Sequence, residues 1–129
     1  VGHYRVDPVH KFRRKLSLVA AQISAIEAVE LGVMAAMASG RNPGPASSLL
    51  KIQGTETQQR IQELAIEVAG HYAAPDQHEA RQPGSGLAAL TDDSAMIAAP
   101  RYFNGRAASI YGGSNEIQRG IIARQVLGL

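Results

Sequence analysis

The sequence predicts an all-α fold, an up-and-down four-helix bundle, and three features carry that prediction. Apolar residues recur at three- and four-residue steps in four separate stretches. Breaks rich in Pro, Gly and capping residues separate the stretches. Hydrophobic residues make up 45% of the chain but aromatics only 5%, with no Trp, so Ala, Leu, Ile and Val must do the packing. That composition suits helix on helix better than a β-sandwich.

The first helix opens at Asp7-Pro8, an N-cap followed by Pro at the first helical position. Phe12, Leu16, Val19, Ile23, Ile26, Val33 and Met37 then form one apolar stripe that ends near Gly40. A helix of about thirty residues is roughly 45 Å long, more than a chain of this size needs, so packing in a larger bundle or against another subunit is expected. Glu30 falls on the stripe and reads as an edge position or a paired carboxylate. Lys11, Arg13, Arg14 and Lys15 make a basic patch in the first turns, read as a solvated or partner-facing helix end. A nucleic-acid face is the sharper alternative, but one aromatic, Phe12, and no recognition motif accompany the charges.

Arg41-Asn42-Pro43-Gly44-Pro45 breaks the chain, and a second helix is predicted from about Ala46 to Gly70, with Leu50, Ile61, Leu64, Ala65 and Val68 on its apolar side. From His71 to about Thr91 the sequence is Pro-, Gly- and polar-rich and reads as a long loop or insertion, of the kind that serves as a lid or a contact arm or is disordered. His71 and His78 lie in it without Cys or an i, i+4 His pair, so no metal site is assigned. Thr91-Asp92-Asp93 can cap a third helix running towards Ile110, which Pro100 is expected to kink or restart. Tyr102 and Phe103 are read as core.

The fourth helix follows Tyr111-Gly112-Gly113-Ser114-Asn115-Glu116-Ile117-Gln118-Arg119, with Ile117, Ile121, Ile122 and Val126 on one face. Ser114 is a good N-cap, and Gly112 and Gly113 permit a sharp turn and close approach of a ligand to the backbone. A helix start with free N–H groups and a positive dipole end receives an anion such as a phosphate.

Length and charge narrow the remaining classes. The chain of 129 residues carries a net charge of +2, too small an excess to argue for nucleic acid. No apolar run approaches a membrane span, and Val1-Gly2-His3-Tyr4-Arg5 does not read as a secretory leader. With no Cys, disulfide and thiolate chemistry are excluded, and a cytoplasmic location is expected.

The string from Tyr111 to Arg119, continued by Ile121-Ile122-Ala123-Arg124 and Val126-Leu127-Gly128-Leu129, resembles the C-terminal signature of the acyl-CoA dehydrogenases. These FAD enzymes of fatty acid and lipid metabolism oxidise the Cα–Cβ bond of acyl-CoA thioesters. The resemblance implies that Ser114 and Glu116 hold the FAD phosphates, while Tyr111, Gly112 and Gly113 line the flavin and thioester end of the cleft. Glu116 would repel a diphosphate, so its backbone N–H is expected to make the contact while its carboxylate turns to Arg119 or caps the turn. Lys51 to Gly70 resembles the family segment that crosses the subunit contact and meets a neighbouring subunit's flavin. The matching string is Glu67-Val68-Ala69-Gly70-His71, with Glu67 where the family has Gln and His71 where it has a second Gly.

Many members place the catalytic Glu where this chain has Gly112, so no catalytic residue is assigned here; Asp92, Asp93 and Glu116 are carboxylates that no spacing favours as a base. Arg5 is not followed by the family's Phe-Gly, and neither its N-terminal helical domain nor its middle β-domain has a counterpart in these residues. The resemblance therefore implies the C-terminal helical third of an FAD-dependent acyl-CoA dehydrogenase, spanning 1–129 and incomplete alone as a catalyst. Its implied partners are the acyl-CoA substrate, an electron acceptor, and further subunits in a homo- or hetero-oligomer, dimer or tetramer. The departures at Glu67, His71 and Gly112 point to the hetero-oligomer. The alternative is a non-catalytic helical interaction module that keeps the bundle without flavin.

Overall fold

The computed structural model describes residues 7–128; Arg5 and Leu129, both used in the sequence reading, lie outside them. Within that span the chain is all-helical. Helices α1 (Pro8–Ala38), α2 (Ala46–Ala69), α3 (Asp93–Gly105) and α4 (Asn115–Leu127) follow one another, with 3₁₀ turns at Gly70–Ala73 and Arg106–Ser109.

Local chemistry sets the boundaries. Asp7 Oδ1 accepts from the Val9 N–H at 3.0 Å and Pro8 opens α1 without a wasted donor. At its other end Gly40 adopts φ +71° and the Arg41 N–H returns to the Ala36 carbonyl at 2.9 Å, which closes the last turn. Gly70 ends α2 with φ 55°. Asp92 caps α3 by accepting from the Ala95 N–H at 2.9 Å. Of the two outcomes expected at Pro100, a kink or a restart, the restart does not occur, since α3 runs through it as one element. Pro100 removes one backbone donor, but Ala95 and Ala98 (2% exposed) are both buried and hold the helix in place before it.

Helix α2 is the hub, since α1, α3 and α4 all pack on it. The pair Lys15–Glu67 (2.7 Å) at one end and Gln22–Gln53 (2.9 Å) further along set α1 antiparallel to α2. The end of α3 is tied down by Gln59 Nε2 donating to the Gly105 carbonyl at 3.3 Å and by Arg106, which pairs with Glu63 at 3.2 Å. Arg106 also lies 4.3 Å above the Tyr102 ring. The core is small: Val19, Ile52, Leu64, Ala73, Ala95, Ala98 and Ala108 are its buried apolar residues.

Three sequence readings change. The face that α1 sets on α2 is Phe12, Val19, Ile26 and Val33 with Gln22 and Val29, whereas Leu16, Ile23 and Met37 of the predicted stripe are exposed, as is Glu30. The seam is a heptad, and the outlying residues sit a quarter-turn off it. Phe103 is 70% exposed and is not core; it only meets Tyr102 edge-on. Helix α1 is also, by length and composition, apolar enough to cross a membrane. Glu27 and Glu30 interrupt its apolar run, which is why the sequence alone did not show it, and carboxylates at such a depth are costly.

Between Ala73 and Asp93 the chain carries turns but no helix of its own. One buried side chain gathers it: Gln77 Oε1 accepts from the Leu90 N–H at 2.7 Å while its Nε2 donates to Thr91 Oγ1 at 3.2 Å. A single amide thus joins the two ends of the loop just before the α3 cap.

Candidate functional site

The turn before α4 is built as its residues dictate. Gly112 and Gly113 take φ +68° and +84°, conformations that a side chain resists. A Cβ on Gly112 would meet nothing within 4 Å, so the backbone there is open to approach, while one on Gly113 would lie 2.7 Å from Gln118 Nε2. Ser114 then caps α4, accepting from the Ile117 N–H at 3.4 Å. Tyr111 is exposed beside the turn.

The neighbouring helix brings charge to this turn. Lys51 Nζ donates to Asn115 Oδ1 at 2.8 Å, and the Thr55 hydroxyl lies 3.2 Å from the same oxygen. Asn115 is buried, so this bond fixes the first residue of α4 against α2. Arg119 pairs with Glu56 at 2.6 Å and lies 3.8 Å from Glu116. Lys51 and the N-terminus of α4 therefore meet at Asn115, two residues after the Gly-Gly turn, a setting that favours an anion, while Arg119 is already paired with carboxylates. Lys51 and Asn115 did not stand out in the sequence because they are 64 positions apart and only the fold brings them together.

Glu116 and Glu56 are the acidic members of this cluster, and Glu116 stands nearest the turn. The Glu116 backbone N–H and then the Ser114 hydroxyl, bonded to its carboxylate, hold its pKa below the ordinary glutamate value, and Arg119 and Lys51 act in the same direction. A lowered pKa means that the contribution of the charged form to stability is present above the unfolded value. It is lost as pH falls through the folded one. In Ser114→Ala the carboxyl of Glu116 should titrate at higher pH than in the parent chain; side-chain carbonyl NMR through an acid titration measures it. An unchanged midpoint would mean that the serine hydroxyl does not bond the carboxylate.

The other half of the predicted site is elsewhere. Glu67, Gly70 and His71 sit at the C-terminal end of α2, where Glu67 is engaged by Lys15 and His71 begins the 3₁₀ turn. From Lys51 to Gly70 along α2 is about 28 Å at 1.5 Å per residue, so one chain does not bring the two groups together. The acidic residues considered as bases are otherwise occupied: Asp92 caps α3, and Glu116 faces back onto its own turn. Asp93 lies in the first turn of α3, at the end of α2 remote from Gly112. Among the described residues no group of three or more His, Asp and Glu could hold a metal ion. Of the basic patch, Lys15 is used within the chain by Glu67, while Lys11, Arg13 and Arg14 are exposed.

A family model described as acyl-CoA dehydrogenase, C-terminal domain, matches residues 10–127. Comparison with curated proteins and with solved structures finds no match.

Proposed function

Since this chain belongs to the acyl-CoA dehydrogenase C-terminal domain family, we propose that it contributes one wall of an FAD site and part of the oligomer core in an enzyme that dehydrogenates acyl-CoA thioesters. The observation that carries the reading is the convergence of Lys51, the α4 N-terminus and the open Gly112-Gly113 backbone. The residues fit the diphosphate end of the cofactor: Lys51 supplies charge, and the Asn115 N–H together with that of Glu116, once its exposed carboxylate turns aside, supply donors. Bound FAD supplies the hydride acceptor of such a reaction.

The chain's own residues then have divided roles. Ser114 and Asn115 hold the helix start in register, and Gly112 leaves room where a side chain would stand. Glu67, Gly70 and His71, at the far end of α2, face a second cofactor site in an assembly, so a complete site draws on two chains. Gly112 carries no carboxylate, and Asp92, Asp93 and Glu116 are engaged elsewhere, so the base comes from another chain or another domain, or this chain is catalytically silent.

The first measurement is the visible spectrum of the protein purified with its native co-expressed chains and supplied with FAD. A flavin spectrum retained through gel filtration supports the reading. Ser114→Asp should then reduce retained flavin by about tenfold or more, because a carboxylate replaces the hydroxyl at the phosphate position. No flavin under any of these conditions would move the reading to a helical interaction module.

A further inference from the structure

One side chain of α4 reaches back over the turn that precedes the helix. The Gln118 N–H donates to the Ser114 carbonyl at 3.0 Å, the first helical bond after the cap. Its side chain goes further back, and Nε2 donates to the Gly112 carbonyl at 3.5 Å. A bond of that length is weak by itself. Space supplies a second constraint, because a Cβ on Gly113 would lie 2.7 Å from the same Nε2. The two glycines therefore have separate uses. Gly113 makes room for the Gln118 amide, whereas a Cβ on Gly112 would meet nothing within 4 Å.

The contact has a consequence for the peptide plane between the glycines. Every peptide bond among the described residues is trans, and a trans plane carries its carbonyl and the following N–H on opposite edges. Holding the Gly112 carbonyl on the Gln118 side thus sends the Gly113 N–H to the other side. Gly113 is exposed, and no hydrogen bond among the described residues uses that N–H. With glycine on both flanks, at φ +68° and +84°, this plane is free to turn over unless something pins it. A donor whose direction is fixed beforehand reorganises little when an oxygen arrives.

We propose that Gln118 is the positioning residue of this turn: it holds the Gly112 carbonyl inward and so presents the Gly113 N–H as a further donor to an oxygen of bound FAD. Gln118 acts through the peptide plane and not by touching the cofactor. The side chain must be a neutral donor of this reach, since an ionised glutamate accepts only and would push the carbonyl away. What the donor meets rests on the cofactor reading above, whereas how the turn is held does not.

The test begins on the full chain without flavin, isotopically labelled at glycine for NMR. Gln118→Met keeps the reach of the side chain and loses its donor. Order parameters at Gly112 and Gly113 should be about 0.85 in the parent, as in rigid backbone, and fall below about 0.6 in the variant. Gly113→Ala should lower the thermal midpoint more in the parent than in a Gln118→Ala chain, where the new Cβ displaces nothing. Equal order parameters, or an equal cost of Gly113→Ala in both chains, would overturn the proposal. The second stage adds FAD to the chain with its native co-expressed partners. Gln118→Met should retain about tenfold less flavin while its flavin-free midpoint stays near the parent's, a separation that a merely structural role does not produce. The Gly113 amide proton of the parent should move downfield on binding, and an amide indifferent to retained flavin would overturn the donor role. If the parent retains no flavin, the cofactor reading falls and the donor role with it, while the flavin-free measurements still decide whether Gln118 sets the turn.

Discussion

Lys51→Glu should abolish FAD retention, by about a hundredfold or more, while leaving the chain folded. The lysine donates to Asn115 Oδ1 at 2.8 Å, and the substitution places a carboxylate against that oxygen and beside Glu116. Two effects act on binding together: the cation is lost, and a second anion faces the phosphate. A hydrogen bond to a charged group is worth about 1.5–3 kcal/mol, and repulsion adds to its loss. Stability suffers less, because the Thr55 hydroxyl still lies beside Asn115 Oδ1 at 3.2 Å. Lys51→Met separates the two effects, keeping the stem and removing only the charge, and should cost about tenfold. Flavin retained after gel filtration and the thermal midpoint are measured side by side. Equal flavin in the parent and Lys51→Glu would remove Lys51 from the cofactor site.

The largest stability effect is expected at Ile52. It is one of very few large side chains buried in this chain, on the face of α2 next to Lys51 and Thr55. Deleting three methyl or methylene groups from a buried isoleucine costs about 2–5 kcal/mol, transfer and cavity terms together. Against a total of about 5–15 kcal/mol for a folded domain, that is a large share. Ile52→Ala should therefore lower the urea midpoint sharply, whereas Leu18→Ala, exposed on α1, should move it by about 0.5 kcal/mol or less. Equal shifts for the two would mean that the core lies elsewhere in the assembled protein.

The fold was legible wherever a local rule sets it. Asp7-Pro8, Asp92 and Ser114 are caps whose side chains bond the first turn without help from the rest of the chain. Gly40 and Gly70 stop helices because their positive φ suits no other residue well. What the sequence hid depends on neighbours. An apolar stripe on α1 is visible from Phe12 to Met37, but which part of it meets α2 depends on the heptad register against that helix. Leu16 and Ile23 therefore looked like core and lie open. Pro100 reads as a break because the rule is local, while the burial of Ala98 that keeps α3 intact is not.

The site divides in the same way. Gly112, Gly113 and Ser114 form a contiguous turn, and their roles follow from glycine conformations and capping. Lys51, Thr55 and Asn115 meet only because α2 and α4 pack, and Glu56 finds Arg119 for the same reason. Glu67 and His71 stood out through one string of residues, but the distance between them and Ser114 becomes visible only once α2 is a rod.

The radial arrangement about α2 also has a consequence for how the chain comes apart. α1 is the longest helix but contributes a single buried apolar residue, Val19, and its packing is against α2. Little free energy ties it to α3 or α4, so it can detach as a unit while α2, α3 and α4 stay together. Its amides should therefore exchange with deuterated solvent through an opening that costs less than global unfolding, at a rate that depends weakly on denaturant. Exchange of that kind would mark α1 and the α2–α4 assembly as two cooperative units on one axis.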